Sequence, residues 1–165
     1  MTVLVSDTSV IIDLDRGEIL EAVFTLKAAF AVPDLLFEHE LAGPLGDRLT
    51  ALGLGVEELA PAEVQAATVL SRADRSLSTA DTFAFALAQS RRWTLLTGDA
   101  GLRRAAEVHQ VEVHGALWIF DQLEAGGICG PETLHRALTQ SSSHPRCRLP
   151  RPEINRRLNR YQTSF

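Results

Sequence analysis

Thr2-Val-Leu-Val-Ser-Asp-Thr-Ser-Val-Ile-Ile-Asp-Leu14 decides the architecture of this chain. Thr2–Ser6 is a short run rich in apolar and β-branched residues, which reads as a buried strand. Asp7, Thr8 and Ser9 are three residue types that cap helices, and Val10–Leu14 then opens a helical stretch. A buried strand that passes through one acid directly into a helix is the start of an alternating β/α chain.

The same alternation continues downstream. Ala29–Val32 reads as a second strand, and Pro33-Asp34 starts a helix carrying Leu35, Leu36, Phe37 and Leu41 that ends at Gly43-Pro44. A short helix near Leu45–Leu52, a strand over Val56–Leu59 and a helix from Pro61 to about Ala73 follow. Ser78 caps the next helix, with Asp81 in its first turn and Phe83, Ala84, Leu87 and Ala88 on its apolar face. Trp93–Thr97 is a strand, Gly98-Asp99 turns into a helix over Leu102–His109, and Val111–Val113 is the last strand. Helices over 116–125 and 131–140 close the pattern. This predicts an α/β fold of three layers, α/β/α, around a central, mostly parallel sheet. Ligand groups in such a sheet gather at the carboxyl ends of the strands.

The 165 residues fit a single domain, and 45% are hydrophobic, enough for a real core. The division expected is a domain over residues 1–141 and, after the polar stretch Ser141–Pro145, a basic tail over 142–165 with a short helix near Pro152–Tyr161. The tail holds six arginines and one acid, leaving 10 basic and 20 acidic groups in residues 1–141 of a chain whose net charge is −5. An acidic body suits a site for cations. A basic tail suits an arm on phosphates, or equally a segment packed on that acidic body. Cys129 and Cys147 form no metal-binding spacing and read as reduced thiols. With no basic leader followed by a long apolar run, the expected location is the cytoplasm, away from membranes.

Three acids fall at the carboxyl edge of the sheet. Asp7 follows the first strand, Asp99 follows Trp93–Thr97 after one glycine, and Asp81 opens a helix that returns to the sheet. A fourth is expected from the helix after the second strand, where Glu38 and Glu40 both qualify. Converging carboxylates raise one another's pKa unless a cation neutralises them. Oxygen ligands without His or Cys suit Mg²⁺ or Mn²⁺. Such an ion acidifies a coordinated water and clamps a phosphodiester oxygen, so the constellation points to phosphodiester hydrolysis. Taken singly, each acid also fits a plain capping or turn role.

Three motifs in this order and spacing resemble PIN-domain nucleases, particularly the VapC-type toxins of bacterial toxin–antitoxin pairs. They are Val3-Leu-Val-Ser-Asp7-Thr-Ser9, Leu77-Ser-Thr-Ala-Asp81-Thr-Phe-Ala-Phe-Ala-Leu-Ala88, and Leu95-Leu-Thr97-Gly-Asp99. The resemblance covers about residues 2–125, with Val111–Phe120 similar to the glycine turn and helix of one PIN subgroup. It implies an Mg²⁺- or Mn²⁺-dependent endoribonuclease, with Asp7, Glu40, Asp81 and Asp99 as catalytic and metal-holding residues. It also implies an RNA substrate cut to a 5′-phosphate and a 3′-hydroxyl, an antitoxin protein as partner, and a homodimer. Glu40-Leu41 fits the family's second motif, yet its spacing from Pro33 is one residue too long, and His39 occupies the gap-free position. Glu40 lies four residues from Leu36, so the two share one helix face, which favours Glu40; Glu38 is the alternative. Thr8, Ser9 and Thr97 are candidate donors that orient the carboxylates.

Other readings compete. A haloacid-dehalogenase-type phosphatase needs an acid two residues after Asp7, where Ser9 stands. A receiver domain needs a late lysine, and the only lysine is Lys27. A catalytically silent PIN-fold module that binds RNA or a protein keeps the fold without the chemistry. His39, His109 and His114 share no metal spacing, Trp93 and Trp118 read as core, and the few aromatics indicate no base-stacking platform. Arg72, Arg75, Arg91, Arg92, Arg103 and Arg104 flank the Asp81 and Asp99 segments and are candidate phosphate contacts.

Overall fold

The computed structural model describes residues 1–165. Its strands are β1 (Thr2–Ser6), β2 (Ala28–Pro33), β3 (Gly55–Glu57), β4 (Thr94–Leu96) and β5 (Val113–His114). They form one sheet in the order β3-β2-β1-β4-β5, with every pairing parallel. The helices are α1 (Thr8–Arg16), α2 (Leu20–Val23), α3 (Asp34–Leu36), α4 (Pro44–Leu52), α5 (Pro61–Ala73), α6 (Thr79–Arg91), α7 (Ala100–Val108), α8 (Ala116–Ala125), α9 (Pro131–Ser142) and α10 (Arg151–Gln162). A π-helical turn, Phe37–Leu41, continues α3.

Side-chain alternation along the strands divides the core into two. Leu4 of β1 and Leu96 of β4 face one cluster with residues of α1, α2, α8, α9 and α10. Their neighbours Val5 and Leu95 face the other, with residues of α5, α6 and α7. Strands buried on both faces read as near-continuous apolar runs, as Val3–Val5 of β1 and Leu95-Leu96 of β4 do. The result is the three-layer α/β/α arrangement expected from the sequence, with a sheet that is wholly rather than mostly parallel.

One segment differs from its sequence reading, and another takes one of the two forms weighed for it. Ser141 and Ser142, read as part of a linker, are the last turn of α9 and are buried. Ser141 Oγ donates to the Asp13 carbonyl (2.8 Å), and a Cβ on Gly17 would stand 3.0 Å from the Ala137 carbonyl oxygen. Small residues therefore let α9 lie close against α1, a use of serine that a polarity pattern does not distinguish from a loop.

Of the two readings of residues 142–165, α10 takes the packed one. Ile154 and Tyr161 of α10 are both 0% exposed and belong to the main core. Arg157 pairs with Asp121 (2.7 Å) and Arg160 with Glu124 (2.6 Å), fastening α10 to α8. Part of the arginine excess is thus spent on the acidic body.

The sheet order places a reversal between β1 and β4. The chain builds outward through β2 and β3 on one side and through β4 and β5 on the other. Crevices at such reversals lie beyond the strands' carboxyl ends.

Candidate active site

The β1–β4 register sets Asp7 beside Thr97. Ser6 pairs with Leu96, and the Asp7 N–H donates to the Leu96 carbonyl (2.9 Å), so Asp7 and Thr97 leave the sheet side by side. Asp7 is the N-cap of α1 and only 3% exposed. Its Oδ1 accepts from the Val10 N–H (3.0 Å) and Ser9 Oγ (2.9 Å), and its Oδ2 accepts from Thr97 Oγ1 (2.5 Å). Burial pushes this carboxyl above the ordinary aspartate range, the three hydrogen bonds pull it down, and the charge of Asp81 adds to the rise.

Thr97 serves two acids at once. Its oxygen also accepts from the Asp99 N–H (3.0 Å), fixing the turn that leads into α7. Asp99 is the N-cap of that helix, accepting from the Leu102 N–H (2.8 Å), and remains exposed. Asp81 stands in the first turn of α6, whose N-cap Ser78 accepts from the Asp81 N–H (3.1 Å). Its carboxyl is raised by burial and by the nearby charges of Asp99 and Glu40, against the lowering effect of Ser78. Helix α6 rests on β1, β2 and β4, which carries Asp81 to the same edge.

The π-helical turn settles which glutamate lies here. Thr8 Oγ1 donates to Glu40 Oε2, joining the start of α1 to this turn. Glu38 instead borders a separate hollow with Asp34, Glu58 and Phe83. A π turn holds one more residue than an α turn, and the Ala42 N–H accordingly bonds back five residues to the Phe37 carbonyl (2.8 Å). That inserted residue accounts for the extra spacing from Pro33. It also corrects the face reading: Leu36 and Leu41, five apart, are both 1% exposed, while Glu40 is exposed. Gly46 of α4 seats against the end of the turn, where a Cβ would stand 2.5 Å from the Leu41 carbonyl oxygen.

Each of Thr8, Ser9 and Thr97 therefore donates to one of the acids. None of Asp7, Glu40, Asp81 and Asp99 forms an ion pair, whereas Arg48, Arg91, Arg157 and Arg160 are each engaged with other acids. An uncompensated all-oxygen donor set fits a hard divalent cation. The arrangement is open: no three acids stand close enough to form a ready-made cage.

Sequence reasoning overlooked Asp13. It lies two turns along α1 from Asp7, and burial pushes its carboxyl up to about 6, with Arg16 opposing and Asp7 adding to the shift. The signal was an acid within the apolar face Val10, Ile11 and Leu14. His114 and Trp118, read as unremarkable, are stacked with ring centroids 4.1 Å apart, and both are partly exposed.

No curated protein matches the chain. A family model described as a PIN domain matches residues 3–163, which takes in α9 and α10 beyond the stretch that carries the motifs. PIN domains are generally nucleases that use divalent metals. With a parallel three-layer fold, acids at the carboxyl edge and a family match along almost its whole length, the chain belongs to the PIN-domain family.

Proposed function

We propose that this protein is an endoribonuclease dependent on Mg²⁺ or Mn²⁺, with Asp7, Glu40, Asp81 and Asp99 holding the cation. One observation supports the reading: four acids from four different elements lie along one sheet edge without a basic partner, and the rise in Asp81's pKa draws partly on its acidic neighbours. When bound, the cation would acidify water and stabilise negative charge on the phosphodiester. The chain's own part is positional. Ser9, Thr97 and the Val10 N–H hold the Asp7 carboxylate in one orientation. Thr8 holds Glu40, and the α7 cap holds Asp99. Hydrolysis at the 3′ oxygen leaves a 5′-phosphate and a 3′-hydroxyl.

A toxin role with an antitoxin partner, and a homodimer, extend this proposal from the motif resemblance. The open spacing of the acids favours a second reading, a silent PIN-fold module that binds RNA or protein. Cleavage of RNA titrated with Mg²⁺ and Mn²⁺ separates the two. The nuclease reading expects metal-dependent cleavage by the natural protein and none by Asp7→Asn. Undiminished cleavage by that variant overturns the assignment.

A further inference from the structure

A large cleft opens beside the acids, roughly between α1, the start of α8 and the segment preceding α10. Its walls include Ser9 and Asp99, Arg103, His114 and Trp118, and Arg146 and Arg148 of the segment before α10. Its volume is about 1330 Å³. Small-molecule sites typically occupy about 300–1,000 Å³, so this space suits a segment of polymer.

The charges in the cleft are of two kinds. Arg16 stands 3.8 Å from Asp13, and Arg157 is held by Asp121 and Glu153. Arg103, Arg146 and Arg148 have no acidic partner, and the latter two are exposed. Arg103 lies over Gly115, where a Cβ would stand 3.1 Å from its guanidinium nitrogen. The His114 and Trp118 rings, stacked at an interplanar angle of 8°, line the same cleft as these arginines. Burial holds His114 below the usual histidine range, so it is an uncharged ring at neutral pH.

We propose that this cleft is the track for single-stranded RNA flanking the scissile bond, with phosphates on Arg103, Arg146 and Arg148 and a base added to the His114–Trp118 stack. The proposal rests on the nuclease reading for its substrate class. Free arginines alone would serve any polyanion, but an aromatic stack among them suits alternating phosphates and bases. Only an unpaired strand offers its base faces, which excludes a duplex. A chain of net charge −5 needs such a local basic stretch to hold RNA at all. The C-terminal segment thereby contributes one wall of the substrate channel.

The test uses the full chain in EDTA, so that binding is read without cleavage. The probe is a fluorescein-labelled, 2′-O-methylated single-stranded RNA of about ten nucleotides. The chain has two tryptophans, so Trp93→Phe leaves Trp118 as the sole reporter. The strand is expected to quench Trp118 fluorescence, and Trp118→Leu to weaken binding about tenfold. Arg146→Ala with Arg148→Ala is expected to lower the slope of log affinity against log salt by about 1.4. Both arginines are exposed, so this double variant reads binding without depending on a core change.

An unchanged slope together with absent quenching overturns the track. Equal binding of the same sequence as a duplex overturns its single-stranded character. Quenching by polyglutamate at equal affinity would make the cleft a protein-docking surface and likewise overturns it. Loss of cleavage in Asp7→Asn with natural RNA binding in the arginine variants sinks the track and leaves the nuclease reading intact. RNA bound as expected by a protein that cleaves nothing sinks the nuclease reading alone.

Discussion

Thr97 and Asp7, ninety positions apart, are joined by a 2.5 Å hydrogen bond between side chains that are 0% and 3% exposed. The bond crosses the β1–β4 reversal, so it ties the sheet's register to the orientation of one carboxylate. The same threonine oxygen receives the Asp99 N–H. One hydroxyl therefore sets two of the four acids.

We predict that Thr97→Val lowers metal-dependent cleavage by about 10–100-fold, the usual effect of removing a group that orients a metal ligand. Removing a donor also raises the Asp7 carboxyl further, which should move the acidic limb of the pH–rate profile upward. Thr97→Ser keeps the hydroxyl and should restore both readings. An unmoved acidic limb in Thr97→Val would show that the bond is merely structural.

For Asp99→Asn we predict weaker metal binding with an intact fold. Asparagine caps a helix about as well as aspartate, so the Leu102 N–H keeps an acceptor. Asp99→Ala should in addition lose about 1 kcal/mol of stability with the cap. Calorimetric titration with Mn²⁺ alongside thermal melts separates the two effects. Natural metal affinity in Asp99→Asn would remove that residue from the donor set.

The sequence made much of this edge legible. The apolar runs locate β1 and β4, and residues that both cap helices and follow strands locate Asp7 and Asp99. Local pattern was weaker where tertiary packing decides. Ser141 is polar yet buried because its hydroxyl finds the Asp13 carbonyl. Tyr161 lies in an arginine-rich stretch, yet its ring fills the core. The His114–Trp118 stack pairs the end of β5 with α8, and an apolar run such as Ala116–Phe120 does not reveal which ring meets the cleft.

Tyr161 is 0% exposed, and its hydroxyl has no hydrogen-bond partner. Burial pushes this phenol up to about 12, so it stays neutral and gains nothing from its buried oxygen at neutral pH. We predict that Tyr161→Phe is neutral or stabilising by about 1 kcal/mol, because an unmet polar group is removed. Tyr161→Ala should cost about 3–5 kcal/mol through the cavity it leaves. Removal of residues 151–165 should destabilise the whole domain, since Ile154 leaves the same core. Thermal or urea unfolding measures all three, and a truncated chain as stable as the natural one would refute the packing role of α10.

Asp13 predicts a pH signature of opposite sign to that of an acid whose carboxyl is held low by its partner, because burial outweighs the contact with Arg16. Its carboxyl titrates at about 6 in the folded chain, against an ordinary value of 3.8. The folded state therefore binds this proton more tightly than the unfolded state does. The contribution to stability grows as pH falls from about 6 toward 4 and is lost above 6. We predict that Asp13→Asn raises stability at pH 7 by on the order of 1 kcal/mol, discounting for residual solvent and the lost Arg16 contact. Unfolding curves at several pH values should show the gain vanish toward pH 4.

The last prediction concerns the extra residue in Phe37–Leu41. If the π turn merely accommodates an insertion, deletion of His39 should convert it to an ordinary α turn. Leu36 and Leu41 would then stand four apart and still share the buried face. Glu40 would keep its place directly before Leu41 and so its contact with Thr8. We predict that this deletion folds with little loss of stability and retains cleavage. In that same protein Glu40→Gln should lower cleavage at least tenfold, while Glu38→Gln, which borders a different hollow, should have little effect. The outcome that would sink this account is equal loss from both glutamine variants, because only Glu40 is tied to the start of α1.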